Sequence, residues 1–290
     1  MSLPTWDYHR PRDLQEAISL HSGGPEARYL AGGTDLLPRV RFHDAEPLPR
    51  RLIDLKGVAT LSGIREEPDG DLSIGACCSV AAVAAHRLVR ERYPMLGECC
   101  QALGSYPLRH RATIGGNLCN ASPCADTAAA LLALEAVLVA CGPQGMREIP
   151  IQGFFLAPGK SLLESREILE AVRLPASSAF GRGHYGRLAR RRSLDISTVA
   201  VLVAELPRAF PRYRIALLSV APTPLRAIAA ERLLEQDGLS AAPQAAELAG
   251  GVCRPITDVR GTAEYRRAMV PVLVERGLAA LAAHAREVRP

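Results

Sequence analysis

Short apolar runs and helical spacing alternate in the first part of the chain. The runs at residues 28–31 and Arg51–Asp54 predict short strands, and residues 13–21 place their apolar side chains on one helical face. Residues 36–40 predict a helix or an extended arm between these strands. The order strand, helix, strand indicates a compact βαβ-like unit.

The pattern then changes to short strands and helices. Two strand patterns flank the turn at residues 67–70, which predicts a hairpin. Ser79 is the predicted N-cap of an apolar helix over residues 80–90. Further helices are predicted at residues 95–104 and 123–134, and further strands at 136–141 and 167–174.

The last part of the chain predicts strands followed by helices. Residues 213–220 predict a strand, residues 196–205 a strand or the start of a helix, and residues 225–236, 241–253 and 262–286 three helices. This order indicates an α+β module with an antiparallel sheet. The last helix should pack on that sheet through an apolar stripe formed by Met269, Val270, Leu273, Val274, Leu278 and Leu281.

A segment rich in serine and glycine at residues 176–183 is typical of a linker. We therefore predict a first domain over residues 1–176, with subdomains at about 1–56 and 57–176, and a linker over 177–183. Residues 184–290 form the predicted C-terminal domain.

Composition describes a protein with a substantial core. The chain has 290 residues, 48% of them hydrophobic, and a mean hydropathy of +0.05. No run of about 18 apolar residues suggests a membrane span, and the N-terminus lacks the pattern of a signal peptide, so we expect a cytoplasmic protein. The net charge of +5 comes from scattered arginines, with one cluster at residues 187–192, and does not favour nucleic-acid binding.

Eight cysteines raise the question of a metal or disulfide site. Cys119 and Cys124 have the spacing that opens a plant-type iron–sulfur motif, but Thr127 stands where the third cysteine should be. The histidines do not form pairs with zinc-ligand spacing. We expect free thiols and no metal in this polypeptide.

Familiar catalytic and nucleotide motifs are missing from the sequence. It contains neither the G-x-G-x-x-G of a nicotinamide-binding Rossmann fold nor a G-x-S-x-G nucleophile motif. The PGKS at residues 158–161 resembles a Walker A loop, but Phe154 replaces its first glycine. These observations argue against hydrolysis and ATP binding.

Two glycine pairs organise the chain. The first lies in LAGGTDL at residues 30–36 and the second in TIGGNLCNASPCAD at residues 113–126, each predicted between a strand and a helix. Glycine permits positive φ, so successive amides can point at one anion, and it removes the Cβ atoms that would hold a diphosphate away. Ser122 is the predicted N-cap of the following helix, whose positive end would face the same anion. Either pair alone is more often plain turn chemistry.

The residues suggest specific roles around a diphosphate. The amides of Gly32, Gly33, Thr34 and Asp35 would bind it, with the Thr34 hydroxyl as a further donor. Asp126 would accept hydrogen bonds from ribose or ribityl hydroxyls; the alternative is an ordinary acidic residue in a first helical turn. The opposite side would be closed by Gly115, Gly116 and Asn117, with hydroxyls from Thr113 and Ser122.

Three motifs, AGGTDL, TIGGNLCNASPCAD and ARRRSLDIS near residue 189, together resemble the FAD-binding medium subunit of the molybdenum hydroxylases. That family includes xanthine dehydrogenase and aerobic CO dehydrogenase, and the resemblance covers almost the whole chain. It implies an α+β fold with a two-part PCMH-type FAD-binding domain. A smaller CO dehydrogenase flavoprotein-like C-terminal domain, with an antiparallel sheet and helices, would follow.

The resemblance also implies contacts with the flavin. It adds Leu30, Ala31 and Leu36 to the first glycine segment, and it places Leu169 and Cys119 as apolar contacts at the ring. Arg187 would be a basic residue near the flavin; the alternative is a salt bridge at the domain interface, with Asp195 as a candidate partner.

The implied function is electron transfer. FAD would be bound non-covalently here, whereas the molybdenum cofactor and [2Fe-2S] clusters would lie in a large and a small partner subunit. Electrons would leave through FAD to NAD+ or another acceptor. The alternatives are a self-sufficient FAD-dependent reductase of the same fold and a nucleotide-binding or assembly module that has lost the flavin. One branch of the family carries a cysteine-rich insertion after the second glycine pair, and this chain has none.

Overall fold

The computed structural model describes residues 5–21, 23–42, 48–191, 194–207 and 212–287, with side chains to residue 283. The other positions, which include Arg192 and Ser193 of the third motif, the start of the first predicted domain and the end of the second, lie outside the described residues.

The N-terminal unit is a three-stranded parallel sheet with two short helices. Its strands are β1 (Asp7–His9), β2 (Ala27–Leu30) and β3 (Arg51–Asp54), in the order β1-β3-β2; its helices are α1 (Leu14–Leu20) and α2 (Leu36–Arg41). Asp13 caps α1 by accepting a hydrogen bond from the Glu16 amide at 2.8 Å. The predicted βαβ-like unit is therefore present, with a third strand beside it.

The second unit is built on a five-stranded antiparallel sheet. Its strands are β4 (Ile64–Glu66), β5 (Leu72–Gly75), β6 (Val137–Gly142), β7 (Gly145–Pro150) and β10 (Ile168–Leu174), in the order β4-β5-β10-β6-β7. A small hairpin, β8 (Phe155–Ala157) with β9 (Lys160–Ser161), precedes β10. The hairpin predicted around residues 67–70 forms from β4 and β5.

Six helices cover this sheet. They are α3 (Val80–Ala85), α4 (Arg87–Arg92), α5 (Pro94–Ala102), α6 (Tyr106–Arg109), α7 (Ile114–Cys119) and α8 (Asp126–Ala133). Ser79 caps α3 as predicted, but the helix predicted over residues 80–90 breaks at His86, whose backbone is extended. All eight residues of α8 are buried, so this helix runs through the centre of the molecule.

The C-terminal unit pairs an antiparallel sheet with three helices. Its strands are β11 (Arg182–Leu188), β12 (Val199–Glu205), β13 (Tyr213–Leu218) and β14 (Leu225–Arg226), in sequential order; its helices are α9 (Ile228–Asp237), α10 (Ala242–Gly251) and α11 (Ala263–Glu287). The alternative of a helix start at residues 196–205 is wrong, because β12 occupies that run. Residues Ala176–Ser178 form a short 3₁₀ turn, and the last two residues of the predicted linker already belong to β11.

The C-terminal sheet is buried on both faces. Successive side chains of a strand point to opposite sides. Val199, Val201 and Val203 pack with the helices of their own domain, whereas Ala200, Leu202 and Ala204 join the core of the first domain. Two buried faces explain why β12 reads as a continuous apolar run. The predicted stripe of α11 packs against this sheet, with Met269 partly buried and its other five members buried.

A charge network joins the two domains at the end of α8. Glu135 adopts a left-handed backbone conformation (φ 54°), and its carboxylate accepts hydrogen bonds from Arg226 at 2.9 Å and meets Arg214 at 3.2 Å. The side chains of Arg214 and Arg226 are almost fully buried, and Arg226 also pairs with buried Glu231. Burial opposes ionisation of Glu135, but the two guanidinium groups lower its pKa.

We expect Glu135→Ala to lower the free energy of unfolding by about 1–3 kcal/mol. Removing one partner from a fully buried pair costs about 3–5 kcal/mol, and the half-exposed side chain of Glu135 reduces that cost. The matched control is Glu91→Ala, which breaks the exposed pair with Arg87 and should cost less than about 0.5 kcal/mol. Equal effects of the two variants in denaturant unfolding would refute the network's role.

Candidate cofactor site

A cavity of about 900 Å³ lies where the three units meet. In the first domain its walls include residues from the ranges 30–36, 112–126 and 161–169. The C-terminal domain contributes Arg260 and described residues from the range 190–196. The volume falls in the upper part of the range for small-molecule and cofactor sites, about 300–1,000 Å³. The cavity is large enough for a dinucleotide.

The two glycine segments meet on one wall of this cavity. A Cβ atom added to Gly32 would lie 2.1 Å from the carbonyl oxygen of Arg111, just before the second segment. The amide of Asn120 donates a hydrogen bond to the carboxylate of Asp35 at 3.1 Å. Segments separated by about eighty positions in the sequence are therefore in direct contact.

The first segment presents unused donors to the cavity. Gly33 has φ +74°, as expected of a glycine that turns the chain. The carbonyls of Gly33 and Asp35 accept hydrogen bonds from α2, at 3.1 and 3.2 Å. Within the part of the chain that the structure describes, the amides of Gly32, Gly33, Thr34 and Asp35 donate to no protein atom. Clustered free amides are suited to a diphosphate.

The second segment differs from the predicted turn. Gly115 and Gly116 lie inside α7 without positive φ, so the prediction of a glycine turn here is wrong. Their amides are already bonded, Gly115 to the Ala76 carbonyl at 2.9 Å and Gly116 to the Thr113 hydroxyl at 3.0 Å. A Cβ on Gly115 would lie 2.5 Å from that of Ala76. These glycines allow close packing of the wall.

Ser122 is not the N-cap of the following helix. Its hydroxyl accepts a hydrogen bond from the Cys124 amide at 3.2 Å, and α8 begins at Asp126, with Ala125 as a cap that offers no side-chain bond. The prediction of a helix from residue 123 is therefore wrong. Thr113 provides the cap in this region, for α7.

Asp126 forms a buried cluster with two side chains of β11. Its carboxylate accepts a hydrogen bond from the Tyr185 hydroxyl at 2.7 Å and lies 3.5 Å from the Arg187 guanidinium. Burial raises the pKa of Asp126, although Tyr185 and Arg187 act in the opposite direction. Arg187 does not line the cavity, whereas Asp126 does. The guanidinium of Arg187 donates a hydrogen bond to the main-chain carbonyl of Asp195. These contacts favour the domain-interface alternative for Arg187.

The predicted ring contacts lie on the cavity wall. Leu169 is buried next to a register shift in β10, and Cys119 stands at the end of α7. Burial raises the pKa of the Cys119 thiol to about 12, so the thiol is neutral near pH 7. Both side chains can therefore provide the uncharged surface that a flavin ring requires.

The cavity brings together fifteen of the sixteen predicted site residues, all except Arg187. They are Leu30, Ala31, Gly32, Gly33, Thr34, Asp35, Leu36, Thr113, Gly115, Gly116, Asn117, Cys119, Ser122, Asp126 and Leu169. The side chain of Asn117 is fixed by a hydrogen bond from Thr127 at 2.5 Å.

Sequence reasoning missed the far end of the cavity. There His21 stacks on Tyr29 with ring centroids 4.7 Å apart, and the Tyr29 hydroxyl donates to the Arg166 carbonyl at 3.2 Å. Neither residue stands in a recognisable sequence motif, because contacts such as that of Tyr29 with Arg166 join positions that are distant in sequence. Tyr185 was also missed, although the alternation of β11 places it on the same face as Arg187.

Comparison with known proteins agrees with this geometry. The model of the FAD binding domain in molybdopterin dehydrogenase matches residues 4–177, and that of the CO dehydrogenase flavoprotein C-terminal domain matches residues 184–281. The chain belongs to the FAD-binding medium subunits of the CO and xanthine dehydrogenase family. The resemblance and the two-domain α+β fold predicted from the sequence are confirmed.

Individual relatives match over most of their length. The carbon monoxide dehydrogenase medium chain of Hydrogenophaga pseudoflava is 36% identical over 280 residues, covering 95% of this chain and 96% of the relative. The xanthine dehydrogenase FAD-binding subunit of Escherichia coli O157:H7 is 34% identical, covering 80% of each chain. A solved carbon monoxide dehydrogenase from H. pseudoflava, lacking the Mo-pyranopterin moiety of its molybdenum cofactor, superposes with a TM-score of 0.91 over 98% of this chain and 99% of that one.

Among the described residues, no three histidine, cysteine or acidic side chains are grouped as a metal site, and the eight cysteines are free thiols. A helix long and apolar enough to cross a bilayer is not found in the same residues.

We expect Gly33→Val to abolish FAD retention. Valine is disfavoured at φ +74°, so the backbone of the segment must change conformation, and its amides then no longer point at the diphosphate. The matched control is Gly159→Val, at φ +75° in open space. Both variants should lose about 1–2 kcal/mol of stability to backbone strain. Only Gly33→Val should purify without flavin, as measured by absorbance, with the C-terminal domain still folded. Full FAD content in Gly33→Val would contradict the assignment.

The raised pKa of Asp126 predicts a pH-dependent stability difference. The folded protein holds this proton to higher pH than the unfolded chain does. The contribution of this titration to the free energy of unfolding is therefore complete below the usual aspartate pKa, and it is lost as the pH rises through the pKa of Asp126 in the folded protein. Asp126→Asn lacks this titration. The stability of wild type minus that of Asp126→Asn, measured by denaturant unfolding, should therefore fall from about pH 3 to pH 7. A difference that rises with pH would be inconsistent with the burial described here.

Proposed function

We propose that this chain is the FAD-binding electron-transfer subunit of a molybdenum-containing hydroxylase or dehydrogenase. The observation that carries the proposal is the row of four amides at residues 32–35 that have no partner among the described residues, on the wall of a dinucleotide-sized cavity. A site of this kind supplies binding and orientation, while the cofactor supplies the chemistry.

The residues of the cavity fit the parts of FAD. The amides of Gly32, Gly33, Thr34 and Asp35 would bind the diphosphate, and the Thr34 hydroxyl would add a donor. Asp126, fixed by Tyr185, would accept a hydrogen bond from a ribityl or ribose hydroxyl. Leu169 and Cys119 would contact the ring. When bound, FAD can accept and release electrons one or two at a time.

The electron path runs through partner subunits in this proposal. The relatives are called a medium chain and an FAD-binding subunit, names that belong to parts of larger enzymes. We infer a large subunit with the molybdenum cofactor, a small subunit with [2Fe-2S] clusters, and NAD+ or another acceptor for the electrons that leave FAD.

A self-sufficient FAD-dependent reductase is the second candidate. It would need a proton donor at the flavin, and Asp126 is the observation in its favour, because it lines the cavity and burial raises its pKa. In the electron-transfer subunit the same carboxyl only orients the cofactor.

Purification of the tagged chain from its native host would test the proposal. We expect flavin absorbance near about 370 and 450 nm at one FAD per chain, together with molybdenum, iron and two further polypeptides. A chain that carries FAD alone and reduces an organic substrate unaided would support the reductase. Absence of flavin would refute both candidates and favour a module that has lost its cofactor.

A further inference from the structure

Lys56 lies next to the first glycine segment but does not line the cavity. It follows β3 in a 3₁₀ turn over Leu55–Gly57, and Ala31 follows the neighbouring parallel strand β2. Both residues therefore lie at the carboxyl edge of one parallel sheet, where open α/β sheets bind their ligands.

The ammonium of Lys56 bonds the main chain of the glycine segment. It donates a hydrogen bond to the carbonyl oxygen of Ala31 at 3.0 Å and pairs with the Asp54 carboxylate at 2.6 Å. Ala31 is the residue immediately before Gly32 and Gly33, whose amides have no partner among the described residues. A bond to this carbonyl restricts the rotation of the peptide plane that contains the Gly32 amide.

Asp54 holds Lys56 in place. Its carboxylate is buried and accepts three hydrogen bonds in all, from the amide of Lys56 at 3.0 Å, from the Lys56 ammonium and from the Tyr8 hydroxyl. Burial opposes ionisation of Asp54, but the hydrogen bonds from Lys56 and Tyr8 keep its pKa below the usual value. A charged carboxylate therefore anchors the lysine near neutral pH.

The segment is also held by packing at Gly32. The α-carbon of Gly32 sits against the Arg111 carbonyl, where a Cβ would be only 2.1 Å from the oxygen. The segment is thus held by a lysine bond at Ala31 and by a main-chain contact at Gly32. Such preorganisation lowers the cost of aligning several amides on one ligand.

We propose that Lys56 is a positioning residue for the cofactor's diphosphate, acting through the Ala31 carbonyl and anchored by Asp54. This inference rests on the proposed function, because it takes the ligand of the glycine segment to be FAD. Lys56 itself touches neither the cavity nor the cofactor in this assignment.

The test measures FAD affinity of the deflavinated protein by flavin fluorescence, and ADP affinity by competition. Lys56→Met should weaken both by about tenfold or more, because a charge-assisted hydrogen bond that fixes the segment is lost. Lys56→Arg, which can still bond the Ala31 carbonyl and Asp54, should recover most of the affinity. The chain's other lysine gives the control: Lys160→Met, in the exposed hairpin, should change neither constant.

Asp54→Asn provides a second test that leaves Lys56 present. It should weaken FAD binding in the same direction, and the double variant Lys56→Met with Asp54→Asn should bind no worse than Lys56→Met alone, because both act through one bond. Affinity within twofold of wild type in Lys56→Met, or no recovery in Lys56→Arg, would overturn the inference. If Lys56→Met does not fold, a wild-type affinity in Asp54→Asn would overturn it equally.

Gly33→Val separates this inference from the proposed function. Loss of FAD in Gly33→Val with normal affinity in Lys56→Met would reject only the positioning role. Normal FAD binding in Gly33→Val would reject the diphosphate site itself.

Discussion

The close approach of Gly32 to the carbonyl of Arg111 is the contact on which the site depends. No side chain larger than hydrogen fits there, so this position brings the N-terminal unit against the second unit at main-chain distance. The Asn120–Asp35 hydrogen bond supports the same junction from the side chains. Because the units meet so closely, the amides of residues 32–35, which have no partner among the described residues, lie on the same cavity wall as the second segment. The cavity is a property of the junction, and neither unit contains it alone.

The two glycine pairs serve this junction in different ways. In the first pair, one glycine permits close contact and the other turns the chain at positive φ. In the second pair, both glycines lie in a helix and remove side chains from its packed face. Glycine thus provides conformational freedom and close contact in the first pair, and close packing alone in the second. The C-terminal domain closes the remaining side, held by Tyr185 on Asp126 and by the buried arginines that meet Glu135.

Local sequence signals predicted most elements and many of the residues that line the cavity. The cap at Ser79 was recognisable because a cap bonds within three residues of itself. The same rule failed at Ser122, where the chain makes an additional turn after Ala121 at φ 46° before α8 begins. The helix around Gly115 and Gly116 was missed because its cap, Thr113, and its packing partner, Ala76, outweigh the low helix propensity of glycine. The contacts of Glu135, Tyr185 and Lys56 join distant parts of the chain, and a sequence pattern does not record them.

The central claim is that residues 32–35 bind the diphosphate of FAD at the junction of the two glycine segments. A crystal structure of the FAD-loaded protein tests it most directly. The account predicts diphosphate oxygens within hydrogen-bonding distance, about 2.7–3.2 Å, of the amides of Gly32, Gly33, Thr34 and Asp35, with the flavin ring against Leu169. A diphosphate bound elsewhere, with these amides still unused, would contradict it.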